Sequence, residues 1–198
     1  PKIATYRSNV HVIWNEMGAY HYAVCYRRST DGGNTWSAID TLRKTIDGGW
    51  GDSWLCAMDS NVYVVFIRED SKMMFMKSTN NGVSWSGQQV IGNGSGNPRL
   101  KVFKASSHCL SSCVRFPVSS LEIYFYRSTD WGSTWIDTQI VSENDGIGSQ
   151  LPAMDTDDSA GIHITWYDYK YSPYSWTGDI FYRASRDSGN TWEEIDSL

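Results

Sequence analysis

The 198-residue sequence lacks several features that would assign it to a common class of protein. It has no run of about 18 apolar residues, so it contains no candidate transmembrane helix. Its net charge is −5 and its acidic residues are scattered, which argues against nucleic acid as a partner. A helical period of 3.6 residues is absent throughout. We therefore expect an all-β protein with no membrane span and no nucleic-acid partner.

Cysteine is scarce, with four residues in the chain. Cys109 and Cys113 lie in one predicted strand, where four residues span about 13 Å, too far for a disulfide unless the chain turns. His108 is the only nearby residue that could help them bind a metal. Cys25 and Cys56 lie among apolar residues. We expect four small packed side chains, no metal site and no cofactor, and the redox compartment stays open.

The sequence does contain an eight-residue motif that occurs four times, at spacings of 49, 50 and 57 residues. Its common form is S-x-[DN]-x-G-x-[ST]-W. The fixed positions are Ser29, Asp31, Gly33, Thr35 and Trp36; Ser78, Asn80, Gly82, Ser84 and Trp85; Ser128, Asp130, Gly132, Thr134 and Trp135; and Ser185, Asp187, Gly189, Thr191 and Trp192.

These residue types are typical of a tight turn. Asp31 can accept hydrogen bonds from backbone N–H groups ahead of it, and Gly33 can adopt a backbone angle that other residues avoid. The Thr35 hydroxyl can close the turn, and the Trp36 ring can pack against neighbouring strands. Asn80 replaces the aspartate in the second copy, which argues against catalysis or metal binding. We predict a structural role for all four motifs.

Each motif follows a third predicted strand and precedes a fourth. Four strands in a repeat of about 50 residues are typical of a β-propeller blade. A β-sandwich is the alternative, but it gives no reason for the same turn after every third strand. We predict one propeller region with blades at approximately 1–47, 48–95, 96–147 and 148–198. Since the sequence begins within a repeat and lacks a signal peptide, we expect a processed protein or a piece of a longer one. Four blades could close a small ring, but the sequence shows no sign of a strand shared between its ends, so we expect part of a larger ring.

The motif resembles the Asp-box, or bacterial neuraminidase repeat, of sialidase-like β-propellers. The resemblance covers essentially the whole chain and implies an all-β propeller, often secreted or surface-attached and frequently concerned with glycans. The family includes sialidases, other glycoside hydrolases, sorting receptors and non-enzymatic lectin-like proteins. An extracellular or cell-surface location is an expectation from this resemblance alone.

Strand direction predicts where a ligand could bind. Successive strands are antiparallel, so the motifs lie at one face of a propeller, and the second-to-third loops and the blade connections lie at the other. The resemblance implies ligand binding at that second face. The candidates there, which combine aromatic rings with polar groups, are Trp50, Asp52, Arg68, Arg99, Tyr167, Asp168, Tyr169, Tyr171, Tyr174 and Trp176. The alternative is that these aromatic rings only pack one loop onto its neighbour.

The catalytic pattern of sialidases is incomplete here. The family uses three arginines, a Tyr–Glu pair, an acid/base Asp and an F/Y-R-I-P motif. This sequence has no F/Y-R-I-P, and its nearest counterpart is Asn97-Pro98-Arg99-Leu100, in which proline and arginine are in the reverse order. Only Arg68 and Arg99 are placed toward the ligand face. A glycosidase pair of carboxylates could come from Asp52, Glu69, Asp70, Asp145 and Asp168.

The leading hypothesis is a non-catalytic recognition or scaffold module that faces a glycan or another protein surface. The alternatives are a sialidase-like glycoside hydrolase (exo-sialidase) whose catalytic set is incomplete in this chain, and a structural surface-layer or filament subunit. Further blades or subunits could complete the ring in each case.

Overall fold

The computed structural model describes residues 1–18, 21–45, 52–103, 108–115, 120–157, 159, 161–171 and 177–198, with only the backbone for 21, 103, 108–115 and 137. Throughout these ranges the regular structure is β-strand, in four antiparallel four-stranded sheets. No helix in the described part of the chain is long and apolar enough to span a bilayer. The chain divides into two compact units, residues 1–93 and 94–198, with two sheets each.

The first unit contains sheets I and II, each with its strands in sequence order. Valine, isoleucine and aromatic residues are frequent in these strands, as expected for residues that pack well on a pleated surface. Sheet I consists of β1 (Lys2–Tyr6), β2 (Asn9–Gly18), β3 (His21–Ser29) and β4 (Asp40–Thr45). Sheet II consists of β5 (Ser53–Met58), β6 (Asn61–Ile67), β7 (Lys72–Ser78) and β8 (Gln89–Asn93).

The second unit contains sheets III and IV, built in the same way. Sheet III consists of β9 (Gly96–Phe103), β10 (His108–Arg115), β11 (Glu122–Ser128) and β12 (Ile136–Ile140). Sheet IV consists of β13 (Ser149–Thr156), β14 (Ile162–Asp168), β15 (Asp179–Ser185) and β16 (Asp196–Ser197).

Within each unit, the core lies between the two sheets. In the first unit, alternate residues of β2 and β3, such as Ile13 and Val24, pack against Val64 and Phe66 of sheet II. In the second unit, Phe125 of sheet III belongs to a corresponding cluster with residues of sheet IV, including Ile162, Ile164 and Trp166. The alternation of inward and outward side chains, with a period of two, gives each sheet two distinct faces.

The four motifs form the turns between the third and fourth strands, and we call residues 29–36, 78–85, 128–135 and 185–192 the repeated turns. Asp31 accepts hydrogen bonds from the Thr35 backbone N–H (2.9 Å), the Thr35 hydroxyl (2.6 Å) and the Ser29 hydroxyl (2.7 Å). The Gly33 N–H donates to the Ser29 hydroxyl at 2.9 Å. The same bonds recur in the third and fourth turns. These bonds, above all from Thr35, lower the pKa of Asp31 to about 2.

Asn80 makes equivalent bonds without a charge. Its Oδ1 accepts from the Ser84 backbone N–H at 2.9 Å, and its Nδ2 donates to the Ser84 hydroxyl at 2.8 Å. The two central residues of every repeated turn have positive φ, and in three turns the first of them is not glycine. The four pairs with positive φ are Gly32 and Gly33, Asn81 and Gly82, Trp131 and Gly132, and Ser188 and Gly189.

The repeated turn also joins neighbouring sheets within a unit. The second turn packs on sheet I, where a Cβ on Gly82 would lie 2.6 Å from Cζ of Tyr26, and Trp85 meets the same Tyr26 ring edge-on. The fourth turn packs on Phe125 of sheet III in the same way, through Gly189 and Trp192. The absence of a side chain on these glycines is therefore a packing requirement as well as a conformational one.

In sheets I and IV the fourth strand begins later than the sequence pattern predicts. We expect strands at 37–42 and 193–195, whereas the structure has them at Asp40–Thr45 and Asp196–Ser197. In sheets I, II and IV one backbone bond forms just after the tryptophan, as from Ser37 N–H to Arg28 O, before the ladder resumes. An irregularity in the β3–β4 register accompanies this delay.

Candidate functional site

The crossing edge of each sheet is the edge opposite its repeated turn, where the second-to-third connection and the chain crossing to the next sheet lie. In the second unit this edge assembles an acidic cluster of Ser120, Glu122, Ser142, Ser149 and Asp168. Glu122 begins β11 and Asp168 ends β14, so two different sheets contribute the two carboxylates.

Glu122 is completely buried and hydrogen-bonded on both oxygens. Its Oε1 accepts from the Ser120 hydroxyl at 2.5 Å, and its Oε2 accepts from the Ser142 hydroxyl at 2.7 Å. Burial raises the pKa of Glu122, with the hydroxyl donors acting in the opposite direction and Asp145 and Asp168 adding to the increase. Such a carboxyl can hold a proton at a higher pH than an exposed glutamate does.

Asp168 is 6% exposed and also has several donors. It accepts from the Ser149 hydroxyl at 2.6 Å, the indole N–H of Trp166 at 3.1 Å and the backbone N–H of Lys170 at 2.9 Å. The Ser149 hydroxyl also lies 3.5 Å from Oε2 of Glu122. One serine therefore links the two carboxylates, and its short bond goes to Asp168.

The cluster has residue types that suit acid/base chemistry, namely a buried carboxyl of raised pKa beside a second carboxylate. Both carboxylates, however, lie beneath the surface, with their oxygens already bonded to serine hydroxyls or backbone. In this arrangement Ser149, the first residue of β13, links the start of β11 to the end of β14.

Three tyrosines lie beside this cluster, and we call Tyr167, Tyr169 and Tyr171 the tyrosine shelf. The Tyr167 and Tyr169 rings meet edge-on with centroids 5.1 Å apart. Tyr171 stacks on the buried ring of Phe181 at 5.7 Å and remains 63% exposed. Its outward face offers a flat apolar surface backed by a fixed partner.

Charged groups flank the exposed ring. Lys170 Nζ lies 5.8 Å from the centroid of the Tyr171 ring and forms an ion pair with Glu143. The hydrogen bond to Glu143 raises the pKa of Lys170, and the charge of Asp145 adds to this effect. A ring with an ammonium group and carboxylates at its border can stack on a C–H surface and bind hydroxyl groups.

The crossing edge of the first unit is rich in paired charges. Arg43 forms a 2.5 Å bond to Glu69, and Arg68 binds both oxygens of Asp70, with Nε at 2.7 Å from Oδ1. The Arg68 guanidinium lowers the pKa of Asp70 to about 2. Asp52 accepts from the backbone N–H of Ser53 at 2.9 Å. Arg68 is thus already engaged by a carboxylate of its own loop.

Tyr22 lies at the same edge and is 3% exposed. Among the described residues its hydroxyl has no hydrogen-bond partner, and the same holds for Nε of Arg43. Burial raises the pKa of Tyr22, and the charges of Asp52 and Glu69 raise it further. The phenol is therefore neutral at any physiological pH.

The remaining predicted ligand-binding residues are Arg99, Trp50, Tyr174 and Trp176, and no shared site for them is seen among the described residues. Arg99 donates to the carbonyl of the adjacent Pro98 at 3.0 Å. Trp50, Tyr174 and Trp176 lie outside the described residues. Of the residues that the structure describes, no group of three or more His, Cys, Asp or Glu side chains could hold a metal ion.

Sequence reasoning missed Glu122, Ser142 and Ser149. The available signal was a single acidic residue at the start of a strand whose seven residues are all buried. A buried charge must find partners. Ser120 just before β11, and Ser142 and Ser149 in the β12–β13 crossing, supply them. Asp168 was expected in an exposed loop, whereas its backbone continues the β14 ladder opposite Ser149 and Asp179.

Searches of protein-family models and of curated proteins found no match. Solved structures do match, among them an α-L-arabinofuranosidase from Fusarium graminearum (13% identity, TM-score 0.64, 96% of this chain and 63% of that one). The NanB sialidase from Streptococcus pneumoniae has 13% identity and a TM-score of 0.63 over 100% of this chain and 51% of that one. A Hadza microbial sialidase has 15% identity and a TM-score of 0.67 over 98% and 45%.

The chain therefore spans about half to two thirds of the length of these glycoside hydrolases. At such low identity the likeness establishes the fold alone. The expectation of a sialidase-like propeller fold is confirmed: this chain has the four-stranded antiparallel sheets and the fold of sialidase and arabinofuranosidase β-propellers.

Proposed function

We propose that the chain is a non-catalytic, glycan-recognising part of an extracellular or cell-surface β-propeller. The observation that carries this proposal is the exposed Tyr171 ring, stacked on Phe181 and bordered by Lys170 and its partner Glu143. Sugars bind proteins through C–H surfaces on aromatic rings and through hydroxyl groups on polar side chains, and this surface offers both.

The state of the arginines supports recognition over sialidase chemistry. A sialidase site needs three arginines that are available to one carboxylate. In the described part of the crossing edges, Arg43 and Arg68 are already paired with Glu69 and Asp70. Arg99 donates to the neighbouring backbone.

The repeated turns, in this proposal, are Asp-boxes, and the four sheets are four blades of a ring that further blades or subunits complete. Each box holds its own blade closed through Asp or Asn, and in the second and fourth boxes the glycine and tryptophan dock it on the preceding blade. The blade boundaries that we predict from the sequence belong to this proposal.

Glycoside hydrolysis is the second candidate, and the link from Glu122 through Ser149 to Asp168 favours it. Ser149 Oγ lies 3.5 Å from an oxygen of Glu122 and 2.6 Å from an oxygen of Asp168, so the two carboxyls are neighbours. A retaining pair of carboxyls lies about 5–5.5 Å apart. A substrate would have to displace the serine hydroxyls to reach them.

Binding to a glycan array, with variants of Tyr171, tests the first proposal. Tyr171→Ala removes the stacking ring and should weaken binding about tenfold, the equivalent of about 1.4 kcal/mol. Tyr171→Phe keeps the ring and should bind within about twofold of the unchanged protein. Equal binding by all three proteins, or no binding to any glycan, would reject this role for the tyrosine shelf.

A further inference from the structure

Within each unit, the second sheet packs on the first through one defined face, which we call the front face. In sheet II this face consists of Leu55, Val64, Phe66, Met74 and Trp85. In sheet IV the equivalent strand positions hold Met154, Ile164, Trp166, Phe181 and Trp192. The same face thus makes the same kind of contact twice.

Sheet I has a front face of similar composition. By strand register its residues are Ile3, Val12, Trp14, Cys25 and Trp36. Ile3 and Trp36 are exposed, Val12 and Trp14 are half-buried, and Cys25 is buried. Ile3 is 66% exposed, whereas the equivalent Leu55 and Met154 are 3% and 7% exposed.

The repeated turn of sheet I is also more exposed than the turns of sheets II and IV. Trp36 is 36% exposed, and a Cβ on Gly33 would meet only Trp36 itself, at 3.9 Å. The equivalent glycines, Gly82 and Gly189, are closed off by Tyr26 and Phe125. Among the described residues, no ring receives the first turn in the way that Tyr26 and Phe125 receive the second and the fourth.

Sheet IV carries the matching surface, which we call its back face. The receiving face of sheet I is built on the hydrogen-bonded pair His11–Tyr26, at 2.6 Å, and sheet IV repeats that pair as His163–Tyr182, at 2.8 Å. Ile180 occupies the position of Val24 but is 44% exposed, against 0%.

Leu198 completes the back face of sheet IV. It takes the position of Val141, the sheet III residue that lies in the core of the second unit. Leu198 N–H bonds to Ile180 O at 2.9 Å, as Val141 N–H bonds to Ile123 O at 2.8 Å, yet Leu198 is 77% exposed.

Arginine makes the match more specific. In the second unit Arg183 binds Glu193 O through Nε at 2.6 Å and reaches across to Val141 O of sheet III through Nη1 at 2.9 Å. Arg27 of sheet I is fixed in the same way, with Nε bonded to Ser37 O at 2.6 Å. We expect a terminal nitrogen of Arg27 to donate the bond that Nη1 of Arg183 donates to Val141 O, with the backbone oxygen of Leu198 as the equivalent acceptor.

We propose that a second copy of this chain is the partner: the front face of sheet I docks on the back face of sheet IV of the next copy. The two halves of the contact lie on one sequence, so the association is heterologous and runs head to tail. It repeats, between copies, the contact that joins sheets I and II and sheets III and IV.

Sedimentation velocity over a range of protein concentrations tests the proposal. The unchanged protein should form dimers and larger species as its concentration rises. Ile3→Glu places a charge in the front face and Ile180→Glu places one in the back face, and each variant alone should associate at least about 100-fold more weakly, since a buried unpaired charge costs several kcal/mol. Val90→Glu, which replaces an exposed apolar residue of sheet II outside both faces, should behave as the unchanged protein.

A mixture of the two variants gives the sharper result. Ile3→Glu retains an intact back face and Ile180→Glu an intact front face, so an equimolar mixture should form one-to-one dimers and nothing larger. Leu198→Glu serves as a second back-face variant if Ile180→Glu does not fold. A protein that stays monomeric at every concentration, or variants that associate as the unchanged protein does, would overturn the proposal.

Discussion

Replacement of Gly82 by alanine tests how the repeated turn joins two sheets. The glycine has φ of +74° and faces Tyr26, so the new methyl group would overlap the Tyr26 hydroxyl oxygen and lie 2.6 Å from Cζ and 2.9 Å from Cε1. Gly33 occupies the same place in the first turn, with φ of +95°, but its nearest neighbour for a Cβ is Cζ2 of Trp36 at 3.9 Å.

The two alanine variants share one cost and differ in the other. A residue with a Cβ at positive φ loses about 1–2 kcal/mol, which applies to both positions. Overlap with a packed ring costs a further amount of about 1–3 kcal/mol, which applies only to Gly82→Ala. We expect Gly33→Ala to lower the free energy of unfolding by about 1–2 kcal/mol and Gly82→Ala by about 2–5 kcal/mol.

Urea unfolding followed by tryptophan fluorescence measures both variants under identical conditions. Adding Tyr26→Phe removes the hydroxyl, which is the nearest clashing atom, but keeps the two ring carbons. It should therefore relieve part of the difference and leave the rest in place. Equal losses for Gly82→Ala and Gly33→Ala would refute the idea that the second turn is packed on sheet I.

Three further predictions concern single side chains. His11 is neutral in the fold because burial, helped by Arg28, lowers its pKa to about 4, so stability should fall by about 2 kcal/mol as pH drops from 6.5 toward 4, and His11→Gln should remove that slope in pH-dependent melting. Asp31→Asn should keep a melting temperature close to that of the unchanged protein, since Asn80 makes the same turn, whereas Asp31→Ala should lower it without changing glycan binding. Ser71 has φ of +59°, so Ser71→Gly should raise the free energy of unfolding by up to about 1 kcal/mol, and Ser71→Ala should not.

The repeated turns show how far the sequence alone could lead. Asp31, Gly33 and Thr35 act within one short segment, so their hydrogen bonds follow from residue type and spacing. The third strands were equally clear, because segments such as 122–128 have aromatic and aliphatic residues at their centre and lead into a motif. In the described part of the chain, sixteen strands in four sheets agree with these local signals.

Contacts between strands that are distant in the sequence were not predictable in the same way. Ser120 is a local partner of Glu122, but its other two partners lie 20 residues away at Ser142 and 27 residues away at Ser149, and no local pattern marks them. The burial of Asp168 depends on how far β14 extends, and strand ends are set by pairing with neighbours. The packing of Gly82 on Tyr26 likewise depends on how sheet II meets sheet I.

The central claim is that these four sheets recognise a glycan without cleaving it. The most direct measurement is mass spectrometry of the best-bound glycan after prolonged incubation with the protein. The account predicts that the glycan is recovered intact, at the same level as in a sample with Tyr171→Ala. Cleavage that disappears in Asp168→Asn and in Glu122→Gln, with both variants still folded, would contradict the account and establish the buried carboxylates as a hydrolytic pair.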